Sequence, residues 1–73
     1  ISRLCLIHKN VPTMLTNIMS TLSNDGINVE NMTNKSKKDY AYTVVDVGSR
    51  VSDSVAAEIR ALEGVLRVRL LNH

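Results

Sequence analysis

The chain has 73 residues, enough for one domain around one core, and at this size folding buries only about 60% of the surface exposed by the unfolded chain. Hydrophobic residues at 44% and charged residues at 22% exclude a disordered or fibrous chain. A formal charge of +2 does not by itself indicate a nucleic-acid partner, and Lys35, Lys37 and Lys38 read as a solvated hairpin tip because no other basic groups cluster with them in sequence.

With no Trp or Phe and two Tyr, the core must be aliphatic. A domain this small, without disulfides or metal, is expected to pair with another copy or with a linked domain. The single cysteine, Cys5, lies in an apolar run and reads as a buried, inert thiol in a reducing compartment. No run approaches the roughly 18 apolar residues of a membrane span and nothing resembles a signal peptide, so the expectation is a soluble, cytoplasmic domain with no membrane partner. The chain starts at Ile1, already inside a strand-like run, and is expected to be a piece of something longer.

Residues 2 to 8 form a short apolar run suited to a central strand. Pro12 then suits the first turn of a helix, and Met14, Leu15, Ile18, Met19 and Leu22 recur at helical spacing, which predicts a helix from about 12 to 24. Asn24-Asp25-Gly26 supplies its stop. The stretch Ile27 to Ser36 is polar for a strand and reads as an edge strand. After a turn near Lys37-Lys38, the segment Tyr40 to Val47 alternates, with Ala41, Thr43, Val45 and Val47 on the face that meets the helices.

Gly48 to Ser52 is a predicted loop, and Ser52 or Asp53 caps a helix whose Val55, Ile59 and Leu62 form a stripe ending at Gly64. In the closing strand, Val65 to Leu71, the alternation predicts Leu66, Val68 and Leu70 inward with Arg67 and Arg69 outward. The order βαββαβ, with right-handed crossovers, implies an α+β, ferredoxin-like sandwich: a four-stranded antiparallel sheet with two helices on one face.

Two polar clusters stand where elements change: His8-Lys9-Asn10-Val11-Pro12 and Gly26-Ile27-Asn28. An amino acid carries a carboxylate that needs donors and an ammonium that needs acceptors, and a carboxamide supplies both. Asn10 and Asn28 fit that ligand. The amides at the opening of the first helix favour an anionic group, and His8 adds a donor from the strand end. Turn chemistry explains the same residues differently: Asn10 as a cap or turn residue, Asn28 as the anchor of an edge strand, His8 as a hydrogen-bonded strand terminus.

The strand ending His8-Lys9-Asn10-Val11-Pro12, the start Gly26-Ile27-Asn28-Val29, the run Tyr42-Thr43-Val44-Val45-Asp46-Val47 and the closing Arg67-Val68-Arg69-Leu70-Leu71 together resemble the ACT domain. Within it, the pattern is similar to the C-terminal regulatory domains of the D-3-phosphoglycerate dehydrogenase family, over nearly all 73 residues.

The resemblance implies one ACT-like regulatory domain over residues 1–73, taken from the C-terminus of an NAD-dependent oxidoreductase of serine biosynthesis. It implies a homodimer through the first helix and second strand, with L-serine or a related small amino acid at the seam. His8 and Asn10 of one copy would face Asn28 of the other, with Val11, Pro12 and Thr13 as lining.

Serine-inhibited members commonly read Asn-x-Pro-Gly, where this chain has Asn10-Val11-Pro12-Thr13. Thr13 narrows the niche, adds a hydroxyl contact, or marks a module that dimerises its parent without binding a ligand.

Catalysis by the domain itself is not expected, because Cys5 and His8 fall on opposite faces of a strand. No Cys-x-x-Cys or His cluster suggests a metal. No cofactor is expected in the domain, NAD being a matter for the parent. An RNA-binding reading lacks stacking aromatics apart from Tyr40 and Tyr42, so no nucleic-acid partner is expected.

Overall fold

The structure, a computed structural model, describes residues 2–72. Ile1, which the sequence places in the same strand-like run, lies outside the described residues. The elements follow in the predicted order: β1 (Ser2–Lys9), α1 (Pro12–Asn24), β2 (Val29–Lys37), β3 (Tyr40–Val47), α2 (Asp53–Arg60) and β4 (Val65–Asn72). They form one antiparallel sheet in the order β2-β3-β1-β4, with α1 and α2 on one face: a ferredoxin-like sandwich.

Strand alternation fixes which face is covered. Leu4, Leu6, Val45 and Val47 point to the helices and are fully buried with Ile18, Leu22 and Ile59. In α1 the buried positions Met14, Ile18 and Leu22 recur every fourth residue, while Leu15 and Met19 are half-buried at the margin. Pro12 opens α1 from an extended Val11, and Gly26, at φ 72°, closes it while the Ile27 amide reaches back to the Leu22 carbonyl at 3.0 Å. Ser52 caps α2 by accepting from the Val55 amide, as its position before the apolar stripe predicts.

The helix α2 ends at Arg60, so Leu62 packs half-buried from the turn that follows it. No helix among the described residues is long and apolar enough to cross a membrane.

Two sequence expectations are corrected. Leu66 does not face inward but is 55% exposed, because a bulge pairs Ile7 with Arg67 and His8 with Val65. Leu66 is the extra residue, and Val65 packs against the core in its place. Cys5 is not a core thiol: it sits half-exposed on the uncovered face, since β1 is roofed by helices on one side only. There the Tyr42 phenol, hydrogen-bonded to the Cys5 thiol, holds its proton above the usual phenol range.

The β2–β3 hairpin turns through Lys38 and Asp39, and Lys38 is the one non-glycine among the described residues with positive φ, at 55°. A side chain there crowds the following carbonyl, so Lys38→Gly is expected to raise stability by about 0.5–1 kcal/mol, read as a shift in the urea midpoint. By contrast, Gly64 combines φ 96° with close packing, a Cβ built there meeting Met14 Sδ at 2.7 Å. Gly64→Ala is therefore expected to destabilise by about 2 kcal/mol in the same assay.

Candidate functional site

The predicted site residues divide between the two ends of the sheet. His8 pairs with Ala41 while Ser2 pairs with Val47, so six residues of β1 separate the His8 end from the end where Asn28 leads into Val29 opposite Val47. At a strand rise of roughly 3.4 Å per residue that is about 20 Å. Within one chain His8 and Asn10 are neighbours, and Asn28 is remote from both.

His8 is 1% exposed and lies on the helix-facing side of β1. Its Nδ1 donates to the Lys9 carbonyl at 2.8 Å, since a carbonyl can only accept. Its Nε2 stands 2.7 Å from the Thr43 hydroxyl, whose oxygen lies 3.0 Å from Asn34 Oδ1. This chain of polar groups crosses the sheet from β1 through β3 to the edge strand β2. The alternation places Thr43 on the helix-facing side of β3, but nothing local assigns His8 to the same side, and their meeting depends on the β1–β3 register.

Asn10 is exposed and ties the loop before α1 to the hairpin tip: its Nδ2 donates to the Lys38 carbonyl at 2.9 Å and its amide to the Asp39 carbonyl at 2.8 Å. It does not cap the helix. The N-cap is Val11, no side chain caps α1, and its first turn carries no acidic residue. The N-terminus of α1 therefore keeps donors without a side-chain acceptor.

Val11 and Thr13 border a cleft of about 250 Å³ beside this helix end, with Lys9, Asn17, Glu63 and Gly64 on its walls. Of the predicted lining, Val11 and Thr13 reach this cleft and Pro12 does not. Lys9 and Glu63 lie 54 positions apart in the chain, so no local pattern links them, and the pairing of β1 with β4, extended by the Lys9 amide to the Gly64 carbonyl at 2.9 Å, joins those segments.

Asn28 is exposed, and its carbonyl accepts from the Gly48 amide at 3.1 Å, fixing the entry to β2. Along β2 itself every residue but Val29 is exposed, and among the described residues the outer edge of the strand borders no other strand. Glu30 is inserted at a bulge between Val29 and Asn31. Thr16, Ser20 and Ser23 of α1 are also exposed, while Met19 packs partly against the core.

This architecture, with its uncovered edge strand and a helix opening beside the end of the central strand, is the fold of ACT domains. Among solved structures, the chain is similar to the ACT domain from the GTP pyrophosphokinase of Chlorobium tepidum, with a TM-score of 0.79 at 15% identity over 96% of this chain and 95% of that one. It is similar to an ACT domain protein from Streptococcus pneumoniae, with a TM-score of 0.75 at 11% identity over 94% and 84%. A third likeness, to the ligand-free regulatory subunit of aspartate kinase from Thermus thermophilus, has a TM-score of 0.69 at 19% identity and covers 97% of this chain but 50% of that one. No protein-family model matches the sequence, and no curated protein matches it.

Proposed function

We propose that the chain is an amino-acid-sensing regulatory domain that works as a pair. A two-fold axis normal to the sheet at the β2 edge reverses strand direction, so the Asn28 end of each copy comes to the His8 and Asn10 end of the other. The observation that carries this reading is the separation itself: two carboxamides about 20 Å apart in one chain become neighbours only across such a seam.

The exposed edge of β2 supports the pairing, since an open edge is a liability that a second copy removes. The α1 opening, without a side-chain cap or acidic residue, suits an α-carboxylate. Lys9 and Glu63 beside it offer the two charges that a zwitterion needs. His8 then acts as a positioning residue, holding β1 to Thr43 and Asn34 beneath the site.

L-Serine is the first ligand to test, and a D-3-phosphoglycerate dehydrogenase the parent to look for, as a cytoplasmic NAD-dependent oxidoreductase. The three glycines of this chain stand singly at 26, 48 and 64, so the NAD would belong to another part of the parent. A ligand at the seam favours the closed pair over the open one by its differential affinity, and a coupling of about 1–3 kcal/mol is typical of such regulation.

Titration calorimetry of the chain against small L-amino acids is expected to give saturable heat at micromolar to millimolar concentration. Asn28→Ala is expected to abolish it while light scattering still reports a dimer. Heat absent across the series, with the dimer intact, leaves the second reading: an assembly module without a ligand. That reading draws on the Asn10 side chain, whose amide nitrogen is already committed to Lys38.

A further inference from the structure

The face of the sheet away from the helices has its own chemistry. Strand register sorts its residues into rows across β2, β3, β1 and β4: Lys35, Tyr42, Ile7 and Arg67 in one, then Thr33, Val44, Cys5 and Arg69 in the next. Lys37 and Tyr40 stand on one side of these rows, and Asp46 with Arg3 on the other. Both helices pack on the opposite face, and Tyr40 and Tyr42 are 52% and 45% exposed.

Its charges are segregated. Among the described residues, Arg3, Lys35, Lys37, Arg67 and Arg69 share the face with one strand carboxylate, Asp46, which Arg3 holds at 2.7 Å. Asp25, Asp53, Glu58 and Glu63 stand instead on or beside the helices, where the neighbouring Asp25 carboxylate raises the Glu58 carboxyl above the ordinary carboxylate range. Shallow depressions flank the Tyr42 ring. One, of about 430 Å³, runs over Ile7 to Arg67 and Arg69, and another, of about 440 Å³, lies between Tyr42, Tyr40, Lys35 and Lys37.

We propose that this open face binds single-stranded nucleic acid, with bases stacked on Tyr42 and Tyr40 and phosphates held by Lys35, Lys37, Arg67 and Arg69. The ligand must offer flat apolar faces and negative charges in alternation, since the surface offers aromatic rings with a cation on either side. An unpaired strand has both, whereas a duplex hides its base faces. Tyr40 and Tyr42 are two residues apart on one strand, roughly 7 Å, which sets two platforms in succession.

In the sequence, Lys35 and Lys37 stand apart from Arg3, Arg67 and Arg69, and Tyr40 and Tyr42 are isolated aromatics; only the sheet collects them on one face. The proposal is independent of the amino-acid site, which involves the opposite face and the strand ends.

The test is fluorescence anisotropy of a labelled oligouridylate about ten nucleotides long, titrated with the chain at low salt. Micromolar binding is expected, with log K falling against log salt at a slope of about −3 for four phosphate contacts. Tyr42→Ala is expected to weaken binding roughly tenfold or more. Arg67→Ala with Arg69→Ala should flatten the slope by about 1.4. All three side chains are on the surface, and circular dichroism confirms that each variant folds.

No anisotropy change at millimolar protein overturns the proposal. So does an affinity indifferent to Tyr42→Ala, or a duplex or polyglutamate that binds as tightly as the single strand, which would assign the face to an acidic protein segment or to polyanions at large.

Discussion

Ile18→Ala is expected to cost about 3–4 kcal/mol, the largest loss from any single truncation in α1, and to leave the chain largely unfolded in mild urea. Ile18 is fully buried between Met14 and Leu22, at the centre of the stripe that α1 lays on the sheet. Its removal loses the transfer energy of three carbons and leaves a cavity in a core with no aromatic side chain to settle into it.

The loss is large because the total is small. At about 0.05–0.15 kcal/mol per residue, a chain of 73 residues has roughly 4–11 kcal/mol in all. Urea denaturation followed by circular dichroism reads the effect, and Leu66→Ala is the matched control. Leu66 is exposed at the β4 bulge, and its truncation is expected to change stability by less than about 0.5 kcal/mol. Equal losses at the two positions would mean that the bulge is misplaced.

His8→Ala is expected to destabilise the chain by about 2–4 kcal/mol with no amino acid present. The imidazole is buried and bonded at both nitrogens, so its removal takes one of two partners from the Lys9 carbonyl, which keeps the Val11 amide, and one of two from the Thr43 hydroxyl, which keeps Asn34, and it opens a void beside Ala41. Thr43→Val removes the other half of the contact. A double-mutant cycle should return a coupling of about 1–2 kcal/mol between the two.

The measurement bears directly on function. A loss of ligand response in a His8 variant reports a collapsed strand end unless the melting temperature without ligand is unchanged. An unchanged melting temperature, with the response gone, would make His8 a ligand contact instead of a support. Asn28→Ala does not share this ambiguity, because the Asn28 side chain is exposed and only its backbone holds β2 to Gly48.

The elements were legible because local rules agree along this chain. Pro12 and Gly26 bracket α1, Ser52 caps α2, and the alternation of Tyr40 to Val47 assigned both faces of β3. The failures share a cause. Leu66 obeys the period of two in sequence but falls at a bulge set by its pairing with β1, and Cys5 lies in an apolar run whose alternate members face no helix. Both depend on a neighbour distant in the chain, which periodicity does not register.

By itself the sequence determined the order βαββαβ, the aliphatic core and the exposure of the second strand, since these follow from the spacing of apolar residues and from turn chemistry. Only the tertiary structure decided that His8 is buried against Thr43, that Asn10 and Asn28 lie at opposite ends of one sheet, and that five scattered cations and two tyrosines share one open face. Hydrogen-bonded pairing between strands brings residues as far apart as Arg3 and Leu71 within one rung of each other, and that register is a property of the whole sheet.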